Sequence, residues 1–180
     1  LRRMNAELEE RVKERTAQLE QRAAELEEAN RKISEMAYRD ALTGVANRRR
    51  LEETLIHEVS RGARMGLPLT VIMVDIDHFK SVNDTFGHAM GDKVLQAIAH
   101  TLTAQSRPYD LVARYGGEEF LVMLPGITRE NGRDAAERFR AAIEVMSIEG
   151  FPRKVTASFG VATLQPGQPA ATLFERADIA

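Results

Sequence analysis

The 180-residue chain contains no cysteine, which excludes disulfide frameworks and thiolate metal sites and fits a reducing, cytoplasmic setting. Any metal must then be held by oxygen or histidine. No stretch approaches the roughly 20 apolar residues of a membrane span. No signal peptide opens the chain, which starts Leu1-Arg2-Arg3 and not with Met, so it reads as a fragment of a longer protein. An excess of charge is also missing. The 25 Lys and Arg against 27 Asp and Glu leave a formal charge of -2, with no overall basic field to hold a nucleic-acid duplex, and phosphate recognition must be local. With 43% hydrophobic residues, the chain can supply one core of ordinary domain size plus an extension, but not two full domains.

Glycine and proline are absent from residues 1 to 38, where Glu, Arg, Ala, Leu and Gln dominate. These are good helix formers in a run longer than an ordinary globular helix. Val12, Leu19, Leu26 and Ile33 recur every seven residues, and such a row stays on one seam only if the helix supercoils with a partner. The expectation is a parallel, dimeric coiled-coil stalk over 1-38. Its companion row is open. If the first row takes the a positions, Arg15, Arg22, Ala29 and Met36 fall at d; if it takes d, Thr16, Ala23, Asn30 and Ala37 fall at a.

The pattern breaks at Tyr38-Arg39-Asp40-Ala41-Leu42-Thr43-Gly44, and a domain over 39-180 begins. Asn47 is placed to cap an amphipathic helix over about 48-64 with Leu51, Leu55 and Val59 on its apolar face. Leu69 to Asp75 is a β-branched run suited to a central strand, and Val155 to Thr163 reads as another. Asp110 to Tyr115 and Glu119 to Leu124 flank Gly116-Gly117 as a hairpin. Helices are predicted near 91-104, 130-147 and 170-178. This order describes an α/β (α+β) sandwich with a mixed, mostly antiparallel sheet covered by helices.

Asp75 closes an apolar strand, where a carboxylate adds nothing to packing and costs desolvation unless it is paired or binds a cation. In the hairpin, two glycines permit a tight turn, and the successive acids Glu118 and Glu119 should point to opposite strand faces, so that only one of them shares a site with Asp75. Hard oxygen ligands without a His or Cys cluster suit Mg²⁺ or Mn²⁺ bound together with substrate phosphates. Taken alone, Gly116-Gly117 reads equally well as an ordinary turn with exposed acids. Asp77, His78 and His88 have no partner at metal-ligand spacing and are read as structural.

Several ordered motifs change that balance: Asp40-Ala41-Leu42-Thr43-Gly44-Val45-Ala46-Asn47-Arg48-Arg49, the block from Asp75 to Lys80, Asn83-Asp84 with Gly87-His88 and Gly91-Asp92, Gly116-Gly117-Glu118-Glu119-Phe120, and Ser158-Phe159-Gly160-Val161-Ala162. Through them residues 38-180 resemble the GGDEF-domain family of diguanylate cyclases, with Glu118 as a variant of the family's Asp. The resemblance implies a nucleotidyl-cyclase or polymerase-palm-like fold that condenses two GTP into cyclic di-GMP as a dimer. It implies Asp75, Glu118 and the Ile76 carbonyl as metal ligands. Glu118 helps deprotonate the attacking 3′-hydroxyl, Glu119 stands with it among the catalytic acids, and Lys80 approaches the phosphates. Asn83 and Asp92 are implied as guanine readers, since a carboxylate accepts from N1-H and the 2-amino group, a pattern adenine lacks. Helix capping is the alternative for Asn83 and Asp92 and stays open for Asn83, and an ordinary surface position is the alternative for Lys80.

Arg107 and Asp110, just upstream of the hairpin, match the family's inhibitory product site, in which Arg clamps phosphate and stacks on a purine while Asp accepts from guanine. Arg138 resembles a secondary arginine of that site. The family continues past an Ala-Asp pair, here Ala177-Asp178, into a segment carrying a Lys and an Arg for the triphosphate. This chain stops at Ala180, which implies a domain cut short. A sensor upstream of Leu1 is implied as well. The competing readings are a catalytically inactive GTP or cyclic di-GMP receptor, and a dimerisation module that leaves the acids unexplained.

Overall fold

The computed structural model describes residues 2-168, with the backbone alone described at residues 2-9, 32, 35 and 36. The helix predicted for 170-178, the Ala177-Asp178 pair and the chain end lie outside the described residues. The chain divides into two units, Leu1–Ala37 and Tyr38–Ala180. Among the described residues no helix is long and apolar enough to cross a membrane.

The described residues of the first unit lie in one helix, α1 (Arg2–Tyr38), whose last residue belongs to the second unit. Gln21 and Glu25, and Arg31 and Glu28, pair along it at 2.9 and 2.8 Å. Such exposed pairs contribute only about 0.2–0.5 kcal/mol each. The seven-residue row is laid open: Val12, Leu19, Leu26 and Ile33 are 57–70% exposed.

In the second unit the elements run α2 (Arg48–Met65), β1 (Leu69–Ile76), α3 (Phe79–Phe86), α4 (His88–Gln105), β2 (Leu111–Gly116), β3 (Glu119–Pro125), α5 (Arg129–Val145) and β4 (Ala157–Leu164). Asn47 caps α2 as expected, its side chain accepting from the Arg50 N–H at 3.0 Å. Gly66 closes α2 in the left-handed conformation (φ 68°). The strand order is β2-β3-β1-β4, and all three ladders are antiparallel. A parallel element enters at one edge, where the loop after α1 bridges Ala46 to Ala113 through Ala46 N–H to Val112 O and Arg114 N–H to Ala46 O.

The alternation of β1 sorts its side chains into two cores. Leu69 and Val71 face Leu51 and Leu55 of α2, together with Leu121 and Met123. Ile72, Val74 and Ile76 face the opposite side, against Val94, Ile98 and Leu102 of α4 and Ala135, Phe139 and Ile143 of α5. Helices therefore cover both faces, and β1 is a central strand because both of its faces are apolar. The sequence pattern does not announce α3, and it places the start of α4 three residues late. The eight residues Phe79–Phe86 include Ser, Asn, Asp and Thr, all weak helix formers. Their helix is held by packing, with Phe79 buried and Val82 against the core. β4 starts at Ala157, later than the predicted Val155, which is buried but unpaired in the sheet.

Candidate active site

Asp75 belongs by parity to the α2 face of the sheet but lies at the C-terminal end of β1, where the burial pattern has turned exposed. The antiparallel register sets it opposite Glu119 on β3 and Ser158 on β4. Directly opposed residues in such a pair share a face, so Asp75 and Glu119 stand on the same side of the sheet. Glu118 is not in a strand at all: it occupies the turn between β2 and β3 with Gly117, and strand alternation does not govern where its side chain goes. Burial pushes the Asp75 carboxyl above its ordinary value, and the charges of Glu118 and Asp77 push it further. The expectation that only one of the hairpin acids can share Asp75's site therefore gives way to a geometry in which both are near it. Asp77 accepts from the Ser158 hydroxyl at 2.7 Å.

Arg114 fixes the turn that carries Glu118. Its Nε and Nη2 donate to the Gly117 carbonyl at 3.0 and 2.8 Å, and its Nη1 reaches Asp40 at 3.2 Å. Asp40 also accepts from the Thr43 N–H and hydroxyl at 2.9 and 2.6 Å. Burial alone would raise the Asp40 carboxyl, but the Thr43 hydrogen bonds and the Arg114 charge outweigh it and hold the group below its ordinary value. Nothing in the sequence motifs assigns this role to either residue. On the same face as Glu119, the Arg48 guanidinium lies 4.6 Å from the Tyr115 ring centroid and bonds Glu52 at 2.8 Å.

His78 takes a left-handed backbone conformation (φ 58°) and so turns the chain from β1 directly into α3. Lys80 is the second residue of that helix and exposed, and Asn83 lies in its interior, half-buried. The helix ends are His78 and Gly87, so Asn83 does not cap. Among the described residues, no ion pair holds Lys80 and no hydrogen bond engages the Asn83 carboxamide. Asp92 sits in the second turn of α4, exposed, five residues after the cap Gly87; His88 opens that helix.

The residues expected at a product site also converge. Arg107 to Asp110 form a tight turn with Asp110 N–H donating to Arg107 O at 3.0 Å, while Asp110 Oδ2 accepts from the Arg107 N–H at 2.8 Å. Arg138 comes from α5, its Nη2 donating to Gln105 O at 3.3 Å. Arg107, Asp110 and Arg138 line one small cavity with Asn131, a residue that no sequence motif marks.

The donor set near Asp75 fits a hard divalent cation. Among the described residues no protein cation pairs with Asp75 or Glu118, although Asp75 carries the charge of two neighbouring acids. No group of three or more acidic, His or Cys side chains makes a ready cage among those residues. Two carboxylates and a carbonyl suit a cation such as Mg²⁺, which keeps water and takes substrate phosphate as further ligands.

Residues 37-180 match the family described as diguanylate cyclase, GGDEF domain. The chain is 46% identical over 144 residues to the diguanylate cyclase DgcP of Pseudomonas aeruginosa, covering 79% of this chain and 22% of that protein. It is 40% identical over 154 residues to the response regulator PleD of Caulobacter vibrioides, covering 80% and 33%. The chain thus spans a third or less of the length of these two relatives. Among solved structures, the coiled coil and GGDEF domain of DgcB from Caulobacter crescentus, in complex with c-di-GMP, superposes with a TM-score of 0.84 at 30% identity over 96% of this chain and 91% of that one. The diguanylate cyclase SiaD of Pseudomonas aeruginosa, in complex with its activator SiaC, gives a TM-score of 0.77 at 37% identity, covering 99% and 72%.

Proposed function

The chain belongs to the GGDEF-domain diguanylate cyclase family, and from that premise we propose that it condenses two GTP into cyclic di-GMP with release of two pyrophosphates. The observation that carries this reading is Asp75 at the end of the central strand, raised by burial and by Glu118 and left without a protein cation among the described residues. At the strand end Asp75 stands near further acids with no protein cation beside it among the described residues, an arrangement that a bound cation relieves.

In this reading Asp75, Glu118 and the Ile76 carbonyl hold Mg²⁺ or Mn²⁺, which when bound supplies the Lewis acidity that eases deprotonation of the 3′-hydroxyl and offsets phosphate charge. Glu118 accepts the hydroxyl proton as the 3′-oxygen of one GTP attacks the α-phosphate of the other, and pyrophosphate leaves. Glu119, on the face it shares with Asp75, adds to the field that draws in the cation. Lys80 stabilises the leaving pyrophosphate, aided by the first amides of α3, which a helix start leaves without intrahelical partners. Asp92 accepts from guanine N1-H and the 2-amino group, and Asn83 reads the same edge.

One domain holds one GTP, so two must face each other. The open row on α1 supports a second copy in a parallel coiled coil, with a sensor upstream in the full-length, cytoplasmically oriented protein. Arg107, Asp110 and Arg138 are proposed as an inhibitory site for the product, a reading supported by their shared cavity. No nucleic acid is assigned as a partner. The test is incubation of the full-length protein with GTP and Mg²⁺, followed by mass detection of cyclic di-GMP. Binding of GTP or cyclic di-GMP without turnover would make the domain a receptor and overturn the catalytic reading.

A further inference from the structure

Gly91 is buried in α4, a position where alanine is the better helix former and glycine is a cost. Its backbone is not among the positive-φ glycines, so no conformational demand accounts for it. Space does. A Cβ added at Gly91 would run into Asn83 Oδ1, with Asn83 Cγ at 3.0 Å and Phe79 Cζ at 3.3 Å. Phe79 is a core residue, 8% exposed, and cannot give way cheaply. The Asn83 carboxamide is the end of a side chain and can. Among the described residues it has no hydrogen bond to hold it, so its orientation is set by what it touches.

We infer that Gly91 is a positioning residue for base recognition: the side chain it lacks forms the notch that seats the Asn83 carboxamide against the turn of α4 carrying Asp92. Oδ1 stands over the Gly91 hydrogen that takes the place of a Cβ, a neighbour that an amide oxygen accepts as a weak C–H contact and an amide N–H₂ does not, so Nδ2 is the end left for a ligand. That end is a donor, and on the guanine edge the acceptor that Asp92 cannot serve is O6. Adenine carries an amino group at the same place, so a seated amide favours guanine twice, by the bond it makes and by the donor it opposes. The notch rests on the proposed reading of Asn83 and Asp92 as guanine contacts and extends it to how one of them is held.

The test is a double-mutant cycle in the full-length protein with Gly91→Ala, Asn83→Ala and the two combined. Calorimetry with Mg²⁺ and 3′-deoxy-GTP, which lacks the attacking hydroxyl and is not turned over, reads affinity. Each single change weakens binding about five- to tenfold, the scale of one lost hydrogen bond, and the double variant is no weaker than Asn83→Ala. Melting gives the second reading: Gly91→Ala raises the melting temperature more in the Asn83→Ala background, where the colliding atoms are gone, than in the wild type. Wild-type affinity in Gly91→Ala alongside weakened binding in Asn83→Ala would overturn the notch and leave the base contact standing, as would losses that add in the double variant. Wild-type affinity in Asn83→Ala would remove the base contact and the notch together. If Gly91→Ala does not fold, the combined variant decides, since a double variant that also fails to fold places the collision elsewhere and overturns the inference.

Discussion

Replacing Arg114 by methionine removes a side chain that joins the loop after α1 to the turn bearing Glu118. The variant loses two donors to the Gly117 carbonyl, at 3.0 and 2.8 Å, and the ion pair with Asp40 at 3.2 Å. Both ionic side chains are only 19% and 22% exposed, so solvent screens them partially. A hydrogen bond to a charged group contributes about 1.5–3 kcal/mol. Because Asp40 keeps its two bonds from Thr43 and the carbonyl of exposed Gly117 returns to water, the net loss is that of one such bond, about 2–3 kcal/mol. For a domain of this size each kcal/mol moves the melting midpoint by about 2–4 °C, so the variant should melt roughly 5–10 °C lower at neutral pH. The deficit is pH-dependent in a definite direction. Asp40 is depressed in the fold, so its pairing contributes fully above the unfolded carboxyl value of 3.8 and is lost as pH falls through the lower folded value. The gap between wild type and variant therefore stays constant from about pH 7 to 5 and narrows below about pH 4. In turnover, a loosened Glu118 costs kcat about tenfold or more, while affinity for 3′-deoxy-GTP changes little. A variant that melts with the wild type at pH 7, or a gap that is unchanged at pH 3, would refute this account of the latch.

Glu118→Gln, nearly isosteric but uncharged, should abolish cyclase activity while melting as the wild type does; near wild-type turnover in the purified variant would remove Glu118 from the metal ligands. Arg107→Ala should relieve product inhibition and leave basal activity mostly intact, and unchanged cyclic di-GMP affinity by calorimetry would count against the site. Because the chain has no tryptophan, Tyr109→Trp, at an 88% exposed position between Arg107 and Asp110, makes a single fluorescent reporter of product binding there; emission unmoved by saturating product would place the ligand elsewhere. In the stalk, changing Arg15 and Arg22 to Leu biases one register, and changing Thr16 and Asn30 to Leu biases the other. One of these two variants should run faster than the other in the confirmed dimer, and equal rates would make the stalk a passive tether.

The features that could be read in advance share one property: each is local in sequence. The β-branched run ending in Asp75, the glycine pair between two apolar strands, and the seven-residue row of α1 are written within a few residues or a single period. Asn47 and the start of α2 follow from capping chemistry in the same way. The missed features are products of packing. α3 is short and built from poor helix formers, and it exists because Phe79 and Val82 have a core to enter. Arg114 and Asp40 are 74 residues apart, and no periodicity announces that they meet. The opposite-face rule applied to Glu118 and Glu119 depends on where the strand ends, and the turn claims Glu118. Gly91 reads in sequence as one more motif glycine; only the nearby Asn83 shows what its missing side chain is for.

The central claim is a metal-assisted condensation of two guanine nucleotides, and phosphorus resonance of the full-length protein incubated with GTP and Mg²⁺ tests it most directly, because every phosphorus atom is followed. The account predicts loss of the triphosphate signals and growth of two pyrophosphates for each cyclic phosphodiester product, all of it abolished by chelator and by Asp75→Asn. Inorganic phosphate with GDP in place of pyrophosphate, or triphosphate that persists with enzyme, metal and dimer all verified, would contradict it.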